Sequence, residues 1–356
     1  MPRILVLYLS IGSGHQVAAE AITAALRRAN VEAICTDPIA ERSHVWISLM
    51  NLGNSLSGLM IPRLYNKLWS NGRTSPLTNW TTTHSFAVHH IRSAIDAIKP
   101  DRIVCTHALP ARVAAQHKHQ AQVIGVVTDF GAHAYWPHPL IDRYCISVED
   151  IAADLIKRGI DPQRIHVTGL PTPTQLDHAV RSNDRVNVLI VIGGRRAGPY
   201  HRAAQLIIKA LPQLDLPIRI TIVTGANQTA HRRLSSLKLP DSIELLGIVD
   251  DLPTRLSRAD VVIGKPGGVL TAEVLAAGAA FIAITPGPGQ ETANAEFLQR
   301  HQLAMICHRP GELINAIVQL AADTALRQHM QQAAQHFGRP NAADDVAQIV
   351  LSTCHR

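Results

Sequence analysis

Short aliphatic and β-branched runs alternate with amphipathic stretches from the start of this chain. Residues 4–9 form an apolar run closed by a glycine-containing turn, and residues 16–28 place apolar side chains at helical spacing before a second run at 31–35. Further strand candidates fall at 102–105, 123–127, 143–146 and 165–167, with helical patterns between several of them. Pro171, Pro173 and the polar residues 181–185 interrupt the rhythm. It restarts at 186–192 and continues through 218–223, 243–246, 260–263 and 281–284, and a final helical stretch at 342–351 follows Gly338 and Pro340. Alternating strands and helices predict an α/β chain with parallel sheets, in two Rossmann-like domains spanning 1–178 and 184–338.

One segment breaks the pattern. Between Glu41 and Asp96 there is no acidic residue, whereas Arg42, Arg63, Lys67, Arg73 and Arg92 occur together with Trp46, Trp69 and Trp80. Cations attract anionic lipid and indole rings sit well at headgroup level, so this composition predicts a membrane-surface or lipid-acceptor element built around Trp46, Arg63, Lys67 and Trp69. The alternative is a pair of core helices with a solvated basic face.

Length and composition narrow the field. The 356 residues fit two domains, and 46% hydrophobic with 17% charged residues is ordinary for a globular chain. A formal net charge of +7 favours an anionic partner without choosing among nucleic acid, acidic lipid and a phosphate-bearing substrate. The five cysteines are scattered and never form a C-x-x-C pair, which points away from a disulfide framework or a zinc site and toward a reducing cytoplasm. The apolar start lacks a basic leader region and runs into a glycine turn, so it reads as a first strand. No apolar run approaches the roughly 18 residues needed to span a bilayer. The expected location is cytoplasmic, with peripheral attachment to the membrane.

Glycine loops carry the candidate chemistry. Gly264-Lys265-Pro266-Gly267-Gly268-Val269-Leu270-Thr271-Ala272-Glu273 and Pro286-Gly287-Pro288-Gly289-Gln290-Glu291 each follow a strand-like run and precede a helical one. Both loops should therefore open at the carboxyl edge of one parallel sheet, where such sheets bind ligands. Backbone N–H groups at a helix start suit a diphosphate, and Glu273 could accept from ribose hydroxyls. Macrodipole stabilisation of an early glutamate is the alternative for Glu273 and Glu291. Gly193-Gly194-Arg195-Arg196 offers another phosphate-sized loop, with an exposed loop and solvated arginines as its alternative.

In the first half, Ser10-Ile11-Gly12-Ser13-Gly14-His15 joins the first strand to the first helix and aims His15 at the same kind of edge. Val17 stands where the dinucleotide fingerprint needs its third glycine, which disfavours NAD. Asp129, after the 123–127 run, could hold the His15 imidazole in its useful tautomer, or it could cap a turn. No Asp-x-Asp sequence occurs, so no metal is expected at a nucleotide-sugar diphosphate.

Taken together, residues 10–15 with Ala18-Ala19, residues 127–133 with Trp136, Asp142 and Tyr144, the Gly193-Gly194 loop, and residues 264–273 with 286–294 resemble one family. It is that of the monogalactosyldiacylglycerol synthases and processive diacylglycerol glucosyltransferases, GT-B enzymes related to the peptidoglycan N-acetylglucosaminyltransferase. The resemblance covers nearly the whole chain. It implies two Rossmann-like domains facing a cleft, a terminal helix (340–356) crossing back onto the first domain, and an inverting, metal-independent transfer of glucose or galactose from a UDP-sugar to a lipid hydroxyl. Diacylglycerol is the lipid it implies most directly, and a small non-lipid acceptor is the alternative.

By residue, the resemblance implies that Glu273 binds the uridine ribose and that the backbone around Gly267, Gly268, Val269, Leu270 and Thr271 meets the diphosphate. Val249 would line the uracil pocket, while Gly289, Gln290 and Glu291 would hold the transferred sugar. His15 would be the base, assisted by Asp129, with Gly14 beside the acceptor. The Arg195-Arg196 pair and the 106–110 turn depart from the family pattern. Two other classes compete: a UDP-N-acetylglucosamine 2-epimerase-like enzyme, which needs no apolar acceptor surface, and a nucleic-acid binder, for which no recognition motif is found.

Overall fold

The computed structural model describes residues 2–10, 13–41, 86–173, 185–193, 200–210, 216–284, 287 and 289–352. Chain contacts divide the protein into two compact units, residues 1–173 with 288–290 and 341–356, and residues 174–287 with 291–340.

The first unit is built on six parallel strands: β1 (Ile4–Leu7), β2 (Ala33–Thr36), β3 (Arg102–Cys105), β4 (Gln122–Val126), β5 (Arg143–Ile146) and β6 (Ile165–Val167). Their order is β2-β1-β3-β4-β5-β6. Every residue of β1 is buried, as a parallel strand covered on both faces requires. Among the described residues, four α-helices connect the strands: α1 (Gly14–Arg28), α2 (Phe86–Ile98), α3 (Ala108–Gln116) and α4 (Glu149–Lys157). Ala19, Ile22, Ala25 and Leu26 of α1 share one apolar cluster with Ile4, Val6, Val104 and Val126 of the sheet.

That cluster also takes in Ala343, Val346, Ala347 and Val350 of the last described helix, Ala342–Leu351, although these residues lie more than 300 positions beyond α1 in sequence. Polar ties fix it there. Arg28 pairs with Asp344 at 2.6 Å, Arg143 Nη1 donates to the Ile349 carbonyl at 2.9 Å, and Arg102 donates to the Val350 carbonyl.

The second unit repeats the plan with β7 (Val186–Val191), β8 (Ile218–Val223), β9 (Ile243–Leu246), β10 (Val261–Gly264), β11 (Ala280–Ile284) and β12 (Ala304–Cys307). Its order, β12-β11-β10-β7-β8-β9, is that of a doubly wound sheet. The helices that position its site are α5 (Gly268–Ala277), α6 (Gln290–Arg300) and α7 (Thr324–Phe337). Val188, Ile190, Ile220, Ile222, Val261, Ile263, Ile282 and Ile284 supply the strand side of its core.

Strand order reverses between β1 and β3 in the first sheet and between β7 and β10 in the second. Loops leaving the carboxyl ends of strands on either side of such a switch part to opposite faces and open a crevice. All twelve described strands are parallel and eleven coincide, within two residues at each end, with the runs read from the sequence. Strand β12 was not anticipated: Ala-Met-Ile-Cys holds one β-branched residue and lies half-buried at the sheet edge.

Of the acid-free segment, residues 42–85 lie outside the described residues, and with them Trp46, Arg63, Lys67 and Trp69. Its last part forms α2, which buries Ala87, Val88, Ile91 and Ile95 and leaves Phe86 46% exposed. Among the described residues no helix is long and apolar enough to cross a membrane.

Candidate active site

In the first unit, the loops after β1, β3 and β4 converge on His15. The β1 loop is held at its base by Asp37, whose carboxylate accepts from the backbone N–H of Ser10 at 2.6 Å and from those of Ile39 and Ala40. Gly14 begins α1 and His15 follows it, so the imidazole leaves the helix start at the carboxyl edge of the sheet. Thr106, after β3, donates its hydroxyl to the His15 carbonyl at 2.9 Å and locks that first turn in place.

The His15 ring is oriented through Nδ1, which lies 2.8 Å from the Thr106 carbonyl oxygen and 2.9 Å from Thr128 Oγ1. A carbonyl only accepts, so Nδ1 carries the proton and Nε2 keeps its lone pair. The neighbouring imidazoles have the opposite tautomer. His107 Nδ1 accepts from the Leu109 N–H at 3.0 Å, and His133 Nδ1 accepts from the Tyr135 N–H at 3.1 Å, so in their neutral forms both carry the proton on Nε2. His107 meets His15 edge to face, with ring centroids 4.7 Å apart. Two imidazoles thus meet at one sheet edge, with His133 close enough to act on both electrostatically, and His15 is the one whose Nε2 is basic.

Burial keeps all three neutral. It lowers His15 and His133 to about 4 and His107 well below the usual histidine range, and the histidines add to one another's shift at His107 and His133. Asp129 follows Thr128 on the same loop, and its carbonyl accepts from Ser147 Oγ at 2.7 Å. The contacts that set the His15 tautomer come from Thr106 and Thr128, residues for which the sequence offered no signal beyond their place after a strand.

The other residues of the 127–146 block serve the fold. The Trp136 indole packs where a Cβ on Gly125 would come within 3.1 Å, Asp142 pairs with Lys118 at 2.7 Å, and Tyr144 Oη accepts from the His138 N–H at 2.9 Å.

In the second unit, α5 starts at Gly268 with Gly267 as its N-cap and no side chain capping it. Its first N–H groups are those a helix leaves without an internal partner. Gly267 itself has room, for a Cβ there would meet only Lys265 Cε at 3.5 Å, and a Cβ on Gly193 would meet nothing within 4 Å. Neither glycine is demanded by packing against the described residues. Gly194, Arg195 and Arg196 lie outside the described residues, as do Ile11, Gly12, Pro286 and Pro288.

Glu273 is the sixth residue of α5, beyond the first turn, so the macrodipole alternative does not account for it. Glu273 is 7% exposed, and burial alone raises its carboxyl to about 7. On the same helix Thr271 is fully buried, and its hydroxyl has no hydrogen-bond partner among the described residues. A buried carboxyl raised by desolvation and, two positions earlier on the helix, a buried hydroxyl without a partner among the described residues are each features of functional sites.

Glu291, in the first turn of α6, is already engaged: Oε1 accepts from Lys265 Nζ at 2.7 Å and Oε2 from the Gly287 N–H at 2.8 Å. The loops after β10 and β11 are thereby tied together, and Asn294 reinforces the tie by donating Nδ2 to the Pro266 carbonyl at 2.9 Å. Gly289 takes a left-handed backbone (φ 79°) immediately before Gln290, the first residue of α6. Val249 is half-buried in the loop after β9, beside Ile248, which is 76% exposed.

Comparison with known proteins follows the same division. Residues 15–172 match the family described as monogalactosyldiacylglycerol (MGDG) synthase, and residues 187–346 match the glycosyltransferase family 28 C-terminal domain. A processive diacylglycerol beta-glucosyltransferase of Bacillus cereus (strain AH187) is 23% identical over 379 aligned residues, covering 99% of this chain and 94% of the relative. Among solved structures, MurG of Acinetobacter baumannii superposes with a TM-score of 0.64 at 18% identity, covering 98% of this chain and 99% of its own. The calicheamicin glycosyltransferase CalG4 gives a TM-score of 0.65 at 14% identity over the full length of both. With two doubly wound parallel units, the chain has the GT-B fold, its two halves match the monogalactosyldiacylglycerol synthase family and the glycosyltransferase family 28 C-terminal domain in that order, and it resembles the processive diacylglycerol glucosyltransferases along nearly its whole length.

Proposed function

We propose that this glycosyltransferase moves a hexose, glucose or galactose, from a UDP-sugar to a lipid hydroxyl, with diacylglycerol as acceptor and inversion at the anomeric carbon. The observation that carries this reading is the tautomer pattern at the first sheet edge. His15 alone among the three imidazoles offers an Nε2 lone pair, with Nδ1–H held by the Thr106 carbonyl. In the reaction the acceptor oxygen forms a bond to the anomeric carbon from the face opposite the leaving group. The bond from that carbon to the β-phosphate oxygen breaks, the acceptor proton passes to His15 Nε2, and UDP departs with the electron pair. An imidazole lowered to about 4 is a weak base, so the proton moves late, once the forming bond has acidified the hydroxyl.

On the donor side, the free N–H groups at the start of α5 would take the diphosphate, and the macrodipole would stabilise charge on the leaving UDP without a metal. Glu273 would accept from the ribose diol, Val249 would line the uracil, and Gln290 with Glu291 would hold the hexose. Gly193 and Gly267 leave the room such a ligand needs. Asp129 is assigned an auxiliary part near His15, and Gly14 adjoins the acceptor.

Attachment at the membrane surface is supported by the acid-free segment 42–95 and by the exposed Phe86 where it enters α2. The cytoplasm is the location this reading assigns. One assay tests the whole: purified protein with a panel of UDP-sugars and mixed lipid acceptors, products separated by mass. A glycosylated diacylglycerol is expected. Free sugar epimers in place of a transfer product would overturn the assignment in favour of an epimerase, and glycosylation of soluble acceptors alone would overturn the lipid.

A further inference from the structure

Helix α3 has a histidine at each end. His107 caps its start at the carboxyl edge, and His117 closes it roughly 15 Å away, at the 1.5 Å rise per residue of an α-helix. At that far end three side chains converge. His117 Nε2 lies 2.8 Å and His119 Nε2 2.9 Å from the same oxygen, Oδ1 of Asp96 on α2, and the two rings stand 4.9 Å apart. All three donor atoms fall within 4.8 Å of one another, and this is the one such group among the described residues.

The turn that presents them is firmly built. His119 takes a left-handed backbone (φ 50°), an uncommon conformation for a side chain of this size, which returns its ring to the side of His117. The Ala121 N–H donates to the Lys118 carbonyl at 2.7 Å, and the His117 N–H donates to that of Ala114 at 3.0 Å. Lys118, between the two histidines, directs its ammonium to both carboxylate oxygens of Asp142 at 2.7 Å, so its charge is neutralised away from the cluster.

We propose that Asp96, His117 and His119 form a surface site for a divalent transition-metal ion of the Zn²⁺ class, separate from the His15 edge. Two imidazole nitrogens and one carboxylate suit Zn²⁺, Co²⁺ or Ni²⁺, whereas Mg²⁺ and Ca²⁺ prefer all-oxygen sets. Without metal, both Nε2–H groups donate to Asp96 Oδ1. With it, each ring moves its proton to Nδ1 through solvent and the cation takes the three freed lone pairs, leaving a fourth position to water. Ligand bonds of about 2.0–2.2 Å at tetrahedral angles put donor atoms roughly 3.3 Å apart, so each histidine–carboxylate separation must open by about half an ångström. Asp96 and His119, 52% and 64% exposed at their side chains, can swing that far.

The test is competition for Zn²⁺ between the full-length protein and a chromophoric chelator, with Co²⁺ absorption as a second readout of geometry. One saturable equivalent and a tetrahedral Co²⁺ spectrum are expected for the native chain. H117A/H119A should lose both, and D96N should weaken binding about 10-fold or more. H119A, altered at the most exposed of the three, serves if the double variant fails to fold. Equal binding by native protein and H119A would overturn the site, as would the absence of saturable uptake at sub-millimolar metal. UDP binding is expected to be unaltered in all three variants, which separates this result from the donor assignment.

Discussion

The Nδ1 atom of His15 lies 2.8 Å from the carbonyl oxygen of Thr106, and this contact decides which face of the imidazole is basic. Because the partner is main chain, no substitution of Thr106 removes it; the adjacent Thr128 hydroxyl, 2.9 Å from the same nitrogen, can be removed. Replacing His15 by Ala should lower transfer by 10²–10⁴-fold, roughly the worth of a positioned proton acceptor, with UDP affinity near native. Thr128→Val should lower kcat several-fold while leaving the KM for UDP-sugar in place, since it loosens the ring without discharging it. Steady-state kinetics on both variants checks this, and retained transfer by H15A would take His15 out of the mechanism.

Burial of Glu273 links donor binding to pH. The carboxyl is raised to about 7 in the folded protein by desolvation, whereas an unfolded glutamate titrates near 4.3. Between those values the unfolded chain gives up a proton that the folded chain retains, so stability falls as pH rises from about 4 to 7 and then levels. Glu273→Gln removes that loss and should raise stability at pH 8 by up to ~3 kcal/mol in denaturant titrations. The same variant should bind UDP-hexose more weakly. A ribose diol donates to the carboxylate form, so native affinity should rise between pH 6 and 8 with proton release, and in E273Q it should be flat. Calorimetry with a UDP-sugar, whose diphosphate diester does not titrate in this range, separates the two terms.

Lys265 and Glu291 form a 2.7 Å ion pair that joins two glycine loops. Glu291 also receives the Gly287 N–H, so the carboxylate is fixed in one rotamer before any sugar arrives. Lys265→Met removes the cation and keeps the aliphatic stem. Affinity for UDP-hexose is then expected to drop toward that for UDP alone, with UDP itself little changed. A loss shared equally by both ligands would place Lys265 on the diphosphate instead of behind the sugar-binding carboxylate.

The sheets were legible because parallel strands buried on both faces read as short unbroken apolar runs, and the glycine loops because they punctuate those runs at one end. Strand β12 escaped this logic at a half-buried edge. The site was legible only as far as side-chain type signals chemistry. His15 and Glu273 stand out in sequence, but the groups that tune them do not: a main-chain carbonyl at Thr106, the N–H groups of Leu109 and Tyr135 that set the neighbouring tautomers, and burial around Glu273 are products of tertiary packing. Asp129 was the natural sequence candidate for orienting His15 because carboxylates are visible in a sequence and carbonyls are not. The Asp96, His117 and His119 cluster was hidden for a related reason, since its carboxylate comes from a different helix about 20 residues earlier.

Two glycines separate packing from ligand space. A Cβ on Gly338, at the end of α7, would lie 2.6 Å from the Leu275 carbonyl oxygen and 3.0 Å from Ala276 Cα, both main chain of α5. Backbone cannot step aside cheaply, so Gly338→Ala should push α7 off the helix that carries the diphosphate loop and cost about 1–3 kcal/mol. The cost should appear as a lower thermal midpoint with or without ligand. Gly193 is the opposite case, with nothing within 4 Å of an added Cβ. Gly193→Ala is expected to leave the midpoint of the ligand-free protein unchanged while reducing the stabilisation that saturating UDP confers, because the methyl group would enter the proposed diphosphate site. Paired thermal scans of the two variants, each with and without UDP, read both effects. A G193A protein stabilised by UDP as much as the native chain would move the diphosphate away from the β7 loop.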